Sequence, residues 1–372
     1  VSVPLKFNLS DDEVAKLSVN RHRYPGVEVV AGLNRFYPLA ENLAHVSGYV
    51  GVINEEELVT LDTSNYKGTT HIGKLGAEQA YESLLHGKVG HRQVEVNATG
   101  RIIRVLDRTA PVSGSDIFLT LDVSLQNLAV DALGDKRGSI VALDPNDGSV
   151  LAMVSTPGYD PNPFVNGIDS KSYKKLLASK DAPLLNRALQ GKYPAGSTIK
   201  PFLGLGALDF GLRNIHDETW CQGWYSLSGS THRYRDWKKE GHGHTNMINA
   251  IAQSCDVYFY SLAHEMGIDK LHEFLDKFGF GKKTGIDIIG EVAGLNPSRE
   301  WKRKAYGQAW FPGETLIVGI GQGLSLITPI HLAVATAAIA NKGKMVRPHL
   351  FAYARDAISE EVRKLHEPSA IG

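Results

Sequence analysis

The chain has 372 residues, 42% of them apolar and 22% charged, the composition of a globular protein long enough for two or three domains. Its 40 Lys and Arg balance 40 Asp and Glu, so it lacks the cation surplus that binding to nucleic-acid phosphates or an anionic bilayer requires. With 38 Gly but no G-x-y period, and with only Cys221 and Cys255 for cysteines, it is neither collagen-like nor a disulfide-dense scaffold.

The chain opens at Val1 without a charged segment followed by an apolar one, so no signal peptide is read there. A start at valine predicts an excised fragment. Residues 1–115 hold short apolar runs split by turn signals such as Tyr24-Pro25-Gly26, Tyr37-Pro38 and Asn97-Ala98-Thr99-Gly100. Residues 76–85 read as one helix stopped by Gly87, and 93–96 alternate like a strand. No chemistry is evident in this part, which is read as an N-terminal pedestal or interaction domain over 1–115.

A boundary falls at Pro111-Val112-Ser113-Gly114. Beyond it, 116–121 reads as a strand, and a helix follows from Ser124 with Leu125, Leu128, Ala129 and Ala132 on one face. Residues 139–143 and 150–154, joined by Asp144-Pro145-Asn146-Asp147-Gly148, read as a hairpin. After a Pro- and Asn-rich loop at 156–166 the pattern is mostly helical to about Phe278. The uncharged stretch 315–340 is broken by Gly319, Gly321, Gly323 and Pro329. It predicts a buried strand, a glycine turn and a core helix from Pro329, not a membrane span, which needs about 20 continuous apolar residues. Strands, then helices, then a late strand segment predict an α+β domain over 116–372.

The run Tyr193-Pro194-Ala195-Gly196-Ser197-Thr198-Ile199-Lys200-Pro201 leads into an apolar helical pattern, which places Ser197 at a helix start and Lys200 one turn on, on the same face. A serine hydroxyl becomes a useful nucleophile when a base takes its proton, and a lysine serves as that base when its environment favours the neutral amine. The competing reading is an N-cap serine beside a surface lysine. Ser172 and Lys175 share the spacing on a polar helix, so context carries the weight: Pro-x-Gly-Ser is more elaborate than a cap requires. A second element, Ser254-Cys255-Asp256, joins helical segments at 245–253 and 257–266. There a serine and a short acid relay a proton and hold a substrate amide, or simply cap the second helix. Ser18 and Asn20 match its pattern in the pedestal.

Between these elements lie His216, Asp217, Cys221, His232, Asp236, His242, His244 and Cys255. Mixed Cys, His and carboxylate sets suit tetrahedral zinc. The alternatives are a solvated loop at Gly241-His242-Gly243-His244 and a single Cys221–Cys255 disulfide, which is allowed outside the cytoplasm.

Ser197-x-x-Lys200 followed by Ser254-x-Asp256 resembles the first two active-site motifs of penicillin-binding transpeptidases and serine β-lactamases. The runs from Gly138 to Gly148, Leu151 to Pro157 and Tyr193 to Pro201 are similar to class B penicillin-binding proteins, as are Gly319-Ile320-Gly321-Gln322-Gly323 and Thr328-Pro329. Pro25-Gly26-Val27-Glu28, the run from His45 to Gly51, Val94 to Asn97 and the Ser-x-Asp variant point within that class to the penicillin-binding protein 2 group, the elongation transpeptidases.

The resemblance implies a sheet flanked by helices plus a pedestal, and a D,D-transpeptidase that cross-links peptidoglycan stem peptides. Ser197 would be the nucleophile acylated by stem peptides and by β-lactam antibiotics, Lys200 the base, Ser254 the proton relay and Asp256 a polar positioner. A D-Ala-D-Ala carboxypeptidase side activity goes with it. It also implies a structural zinc held by Asp217, Asp236, His242 and Cys255, with His244 next in line after His242, and no cofactor for the chemistry. The implied setting is the periplasmic face of the inner membrane, with a membrane glycan polymerase and a rod-complex scaffold protein as partners and no nucleic acid.

One departure stands out. The third motif of the family, K-[ST]-G on a strand, is expected well after Pro348, and its absence predicts that 116–372 omits the C-terminal part of the transpeptidase domain. The literal Lys283-Thr284-Gly285 sits in a loop and is read as unrelated to catalysis. The missing motif supports the alternative of a catalytically inert scaffold of the same fold. A β-lactamase is disfavoured, since no deacylating carboxylate is evident.

Overall fold

The computed structural model describes residues 5–98 and 101–367, so Thr99 and Gly100 of the turn expected after Asn97 lie outside the described residues. Strands β1 (Val50–Val52) and β2 (His71–Gly73) pair antiparallel. Helix Gly76–Ala80 packs on β2 and on helix Ala40–Ser47. Strands β3 (His91–Val96) and β4 (Ile102–Thr109) form a hairpin. The helix expected over 76–85 is two helices, Gly76–Ala80 and Glu82–Leu85, broken at Tyr81. Tertiary contacts explain the break. Tyr81 is buried, its ring packs on Phe351, and its hydroxyl donates to Asp287 Oδ2 at 2.8 Å, so it ties the N-terminal part to the rest of the chain.

The remainder is α+β. Strands β5 (Ser115–Leu119), β12 (Phe351–Asp356) and β13 (Val362–Leu365) form one sheet in the order β13-β12-β5, and β6 (Gly138–Leu143) pairs with β7 (Val150–Thr156). The two sheets meet where Thr120 N–H donates to Leu350 O at 2.8 Å and Val150 N–H to His349 O at 3.0 Å. Helix Val123–Leu133 lies on β7. Its inward face differs from the expected one. Leu128 and Ala132 are exposed, while Gln126 and Ala129 are buried. The Gln126 amide exchanges hydrogen bonds with the Met153 backbone, donating at 3.1 Å and accepting at 2.9 Å, so a polar residue faces inward with its groups satisfied.

A second core surrounds helix Asp256–Lys277, which is kinked at Gly267 with φ 70°. Tyr258, Phe259, Leu262 and Leu271 pack there with Phe202 and Leu203 of helix Lys200–Asp209 and Leu316 of helix Pro312–Val318. Each large apolar side chain so buried contributes about 1.5–3 kcal/mol. The helix in which Lys200 begins is thereby held rigidly against the helix that begins at Asp256.

Two further expectations need correction. The segment read as helical between the two motifs contains ladders: β8 (Thr219–Cys221) with β11 (Gly243–Thr245), and β9 (Trp224–Tyr225) with β10 (Tyr234–Arg235). Gly241 at φ 78° turns the chain so tightly that a β-carbon there would lie 2.1 Å from Cys221 O. The strand expected near 315 is helix Pro312–Val318, started by Pro312 and by Glu314, whose carboxylate accepts the Phe311 N–H at 2.8 Å. Helix Pro329–Ala340 forms as expected, capped by Thr328. Among the described residues no helix is long and apolar enough to cross a membrane.

Candidate active site

Ser197 lies in a 3-10 turn, Gly196–Ile199, that feeds directly into helix Lys200–Asp209. Gly196 has φ 57°, and its N–H donates to Gly321 O at 2.8 Å. A β-carbon on Gly321 would sit 2.2 Å from Gly196 O, so this contact of main chain on main chain requires glycine. The turn leaves the Ser197 side chain exposed and sends Lys200 inward.

Four side chains converge here. Ser197 Oγ is 2.6 Å from Ser254 Oγ. Lys200 Nζ donates to Ser254 Oγ at 3.1 Å, Ser254 O at 2.9 Å and Asp256 Oδ1 at 2.6 Å, with its side chain only 1% exposed. The three N–H groups of an ammonium thus have three acceptors, and the Phe259 ring lies 5.4 Å away. The path from Ser197 to Lys200 runs through the Ser254 hydroxyl.

Ser254 holds an unusual backbone, φ 55°, which costs a non-glycine residue about 1–3 kcal/mol and recurs at functional sites. Its surroundings fix it. Cys255 N–H donates to Ala250 O at 2.9 Å, and Trp237 Nε1–H donates to Gln253 O at 3.1 Å. Cys255 caps helix Asp256–Lys277, its sulfur accepting the Tyr258 N–H at 3.4 Å.

The look-alike motifs lie elsewhere. Ser172 and Lys175 belong to helix Ser170–Ala178, which buries none of its residues. Ser18 bonds back to Val14 O in helix Asp11–Val19. Lys283-Thr284-Gly285 is a loop in which Thr284 N–H and Oγ1 donate to Glu291 at 2.6 and 2.7 Å and Gly285 N–H at 3.0 Å, so the donors of Thr284 and Gly285 are already engaged, away from Ser197.

Cys221, Asp236, His242 and Cys255 form a buried group whose donor atoms all lie within 4.8 Å of one another. Cys221 Sγ is 3.6 Å from Asp236 Oδ2 and 3.5 Å from His242 Nδ1, and His242 Nδ1 is 3.7 Å from Asp236 Oδ2. Such separations approximate the edges of a tetrahedron with zinc bonds of about 2.0–2.3 Å. His242 turns Nδ1 toward both Cys221 and Asp236, so four donors of zinc-binding type converge on one buried point. The residues present therefore fit a tetrahedral metal, with one correction to the expected set. Asp217 is not in the group. Its carboxylate instead accepts the Asn214 backbone N–H at 2.8 Å and side-chain amide at 2.6 Å, and Cys221 of β8 fills the fourth place. The β8–β11 ladder explains the exchange, since Cys221 pairs with Gly243 beside His242; the sequence offered Cys221 as a ligand type, but without the ladder nothing ranked it above Asp217. His244 points away, to Glu218 at 3.3 Å and to Trp220, and His232 stacks edgewise on Tyr234.

Ser254 thus bridges Ser197 to the buried Lys200 on an α+β scaffold, an arrangement suited to acyl transfer. Residues 138–369 match the penicillin binding protein transpeptidase domain and residues 1–119 the penicillin-binding protein dimerisation domain, and the chain belongs to the penicillin-binding protein transpeptidase family. It is 47% identical over 348 residues to the peptidoglycan D,D-transpeptidase MrdA of Acinetobacter baumannii, covering 94% of this chain and 52% of that one, so the chain spans about half the length of that relative. The solved structure of PBP2 from Pseudomonas aeruginosa in complex with WCK 5153 superposes with a TM-score of 0.81 at 48% identity, over 93% of this chain and 71% of that one. The complex of PBP2 and MreC from Helicobacter pylori gives 0.84 at 34% identity, over 96% and 65%.

Proposed function

We propose that the chain carries the nucleophile half of an elongation-type peptidoglycan D,D-transpeptidase, with Ser197, Lys200, Ser254 and Asp256 as its reacting and positioning groups and residues 1–115 as an interaction pedestal for the domain over 116–372. The observation that carries this is the continuous path Ser197 Oγ–Ser254 Oγ–Lys200 Nζ, at 2.6 and 3.1 Å. Ser197 attacks the penultimate D-Ala carbonyl of a stem peptide. Its proton passes to Ser254, whose own proton passes to Lys200 once the ammonium has given up the N–H aimed at Ser254 Oγ, so that a lone pair faces that hydroxyl while the other two N–H groups stay on Ser254 O and Asp256 Oδ1. The Ser197 N–H, at the first turn of a helical segment and so free of an intrahelical acceptor, faces the developing oxyanion. The relay then runs backward: Ser254 gives a proton to the departing D-Ala amine. An amine of a neighbouring stem next attacks the ester and releases Ser197, completing the cross-link. β-Lactams acylate the same oxygen. Asp256 keeps Lys200 aimed at Ser254.

A zinc ion held by Cys221, Asp236, His242 and Cys255 would supply a fixed cross-link and no chemical step. The substrate places the enzyme on the periplasmic side of the inner membrane. Cross-linking consumes new glycan strands, so a membrane glycan polymerase is a partner, and the likeness to a PBP2 solved with MreC supports a rod-complex scaffold as another.

The test is covalent labelling of the full-length protein by a fluorescent penicillin. The native protein labels at Ser197, and Ser197→Ala does not. Labelling that survives Ser197→Ala overturns the assignment, and a folded native protein that never labels supports the inert scaffold instead.

A further inference from the structure

The sequence leaves a metal site and a Cys221–Cys255 disulfide as rivals. The structure brings the ingredients of both to one place. The two sulfurs lie within 4.8 Å of each other, both cysteines are free, and they come from different elements, Cys221 from the end of β8 and Cys255 from the cap of helix Asp256–Lys277. No side chain needs to cross the core for them to meet. With a cation between them the sulfurs are held apart as separate ligands. Without it, the two sulfurs remain within 4.8 Å of each other, with Asp236 and His242 completing the group.

We infer that Cys221 and Cys255 are a dithiol–disulfide pair whose oxidation competes with metal capture, and that the outcome is felt at Ser254. The competition rests on the metal reading above; the pairing of the thiols rests on geometry alone. The reaction is a thiol–disulfide exchange with a small-molecule disulfide. The Cys221 and Cys255 thiols each lose a proton and one S–S bond forms between them. The electron pair reduces the external disulfide, whose S–S bond breaks to give two thiols that take up the protons. Both cysteines are buried, so the exchange proceeds through local opening of the short β8–β11 ladder, which a bound cation would hold shut. Cys255 lies between Ser254 and Asp256. Drawing its sulfur toward β8 therefore shifts the peptide unit that positions the relay hydroxyl, and a misplacement of about 1 Å costs up to about a hundredfold in rate.

The experiment compares the full-length protein stripped by a chelator with the same protein reloaded with zinc. Each is incubated with oxidised glutathione and mapped by mass spectrometry without reduction. The stripped protein is expected to yield a peptide pair joined through Cys221 and Cys255, the zinc-loaded protein to retain both thiols. The oxidised form is expected to acylate with penicillin about tenfold or more slowly, with the rate restored by reductant and zinc together. Cys221→Ala should give only a mixed glutathione adduct on Cys255. Two intact thiols in the stripped protein, or separate adducts on both cysteines, overturn the pairing. A joined peptide that forms equally fast with and without zinc overturns the competition and the metal reading, while the pairing stands.

Discussion

The Asp236 carboxylate accepts the Val257 backbone N–H at 3.0 Å, which fastens the buried Cys–Asp–His group to the first turn of the helix that presents Asp256 to Lys200. Asp236 also accepts the Lys238 N–H at 3.1 Å. One carboxylate thus ties the loop between β10 and β11 to the start of helix Asp256–Lys277, and the expected mutational behaviour follows from how each group is tied to these points.

Ser254 has two separable properties, a hydroxyl between Ser197 and Lys200 and a left-handed backbone. Ser254→Ala and Ser254→Gly are both expected to slow penicillin acylation by about a hundredfold or more. The glycine variant should be the more stable of the two by about 1 kcal/mol, because φ 55° suits it. Acylation rates and urea midpoints read together check this. Equal stability of the two variants would remove backbone strain from the account.

Lys200 is buried against Asp256 at 2.6 Å. Asp256→Ala leaves the ammonium with only Ser254 as partner and is expected to cost about 3–5 kcal/mol. Asp256→Asn keeps an acceptor and should cost less than half of that. Denaturant unfolding of both variants gives the comparison, and a neutral Asp256→Ala would show that the pair carries little stability.

Metal content distinguishes the two candidate ligand sets. Zinc is expected to be lost in Cys221→Ala and Asp236→Ala and retained in Asp217→Ala, measured by elemental analysis of purified protein. Chelation should lower the melting temperature of the native protein and leave that of Cys221→Ala unchanged, since folding and binding are linked.

His45 supplies a pH dependence away from the active site. Burial, with a smaller contribution from Arg187, lowers its pKa from 6.5 to about 4, and its Nε2 is buried without a partner. The folded state thus holds His45 neutral while the unfolded chain protonates it near pH 6.5. Its contribution is fully present above that pH and is lost as pH falls toward 4, by about 3 kcal/mol in all. His45→Phe, which keeps a ring against Tyr159, should flatten the stability profile between pH 6.5 and 4. An unchanged slope would place the acid sensitivity elsewhere.

Much of the site was legible because it is written in short local patterns. Ser197, Lys200, Ser254 and Asp256 stand in two compact motifs, and the structure brings these together as the family resemblance implies. The hairpin of β6 and β7 and the helix from Pro329 were equally local. What escaped depended on partners far along the chain. The break at Tyr81 needs Asp287, and the inward turn of Gln126 needs the Met153 backbone. Cys221 outranks Asp217 only once β8 pairs with β11, a ladder set by positive-φ glycines that carry no apolar period to read. The helix Pro312–Val318 resembled a strand because its β-branched run outweighed a start signal made by one proline and one glutamate.

The clasp between Gly196 and Gly321 has a consequence for how such a site changes over time. Because it is made from the peptide units themselves, it depends on no side chain, whereas Gly321 itself has nowhere to go: any β-carbon meets the Gly196 carbonyl. The turn that carries Ser197 can therefore vary around Gly321 but not at it.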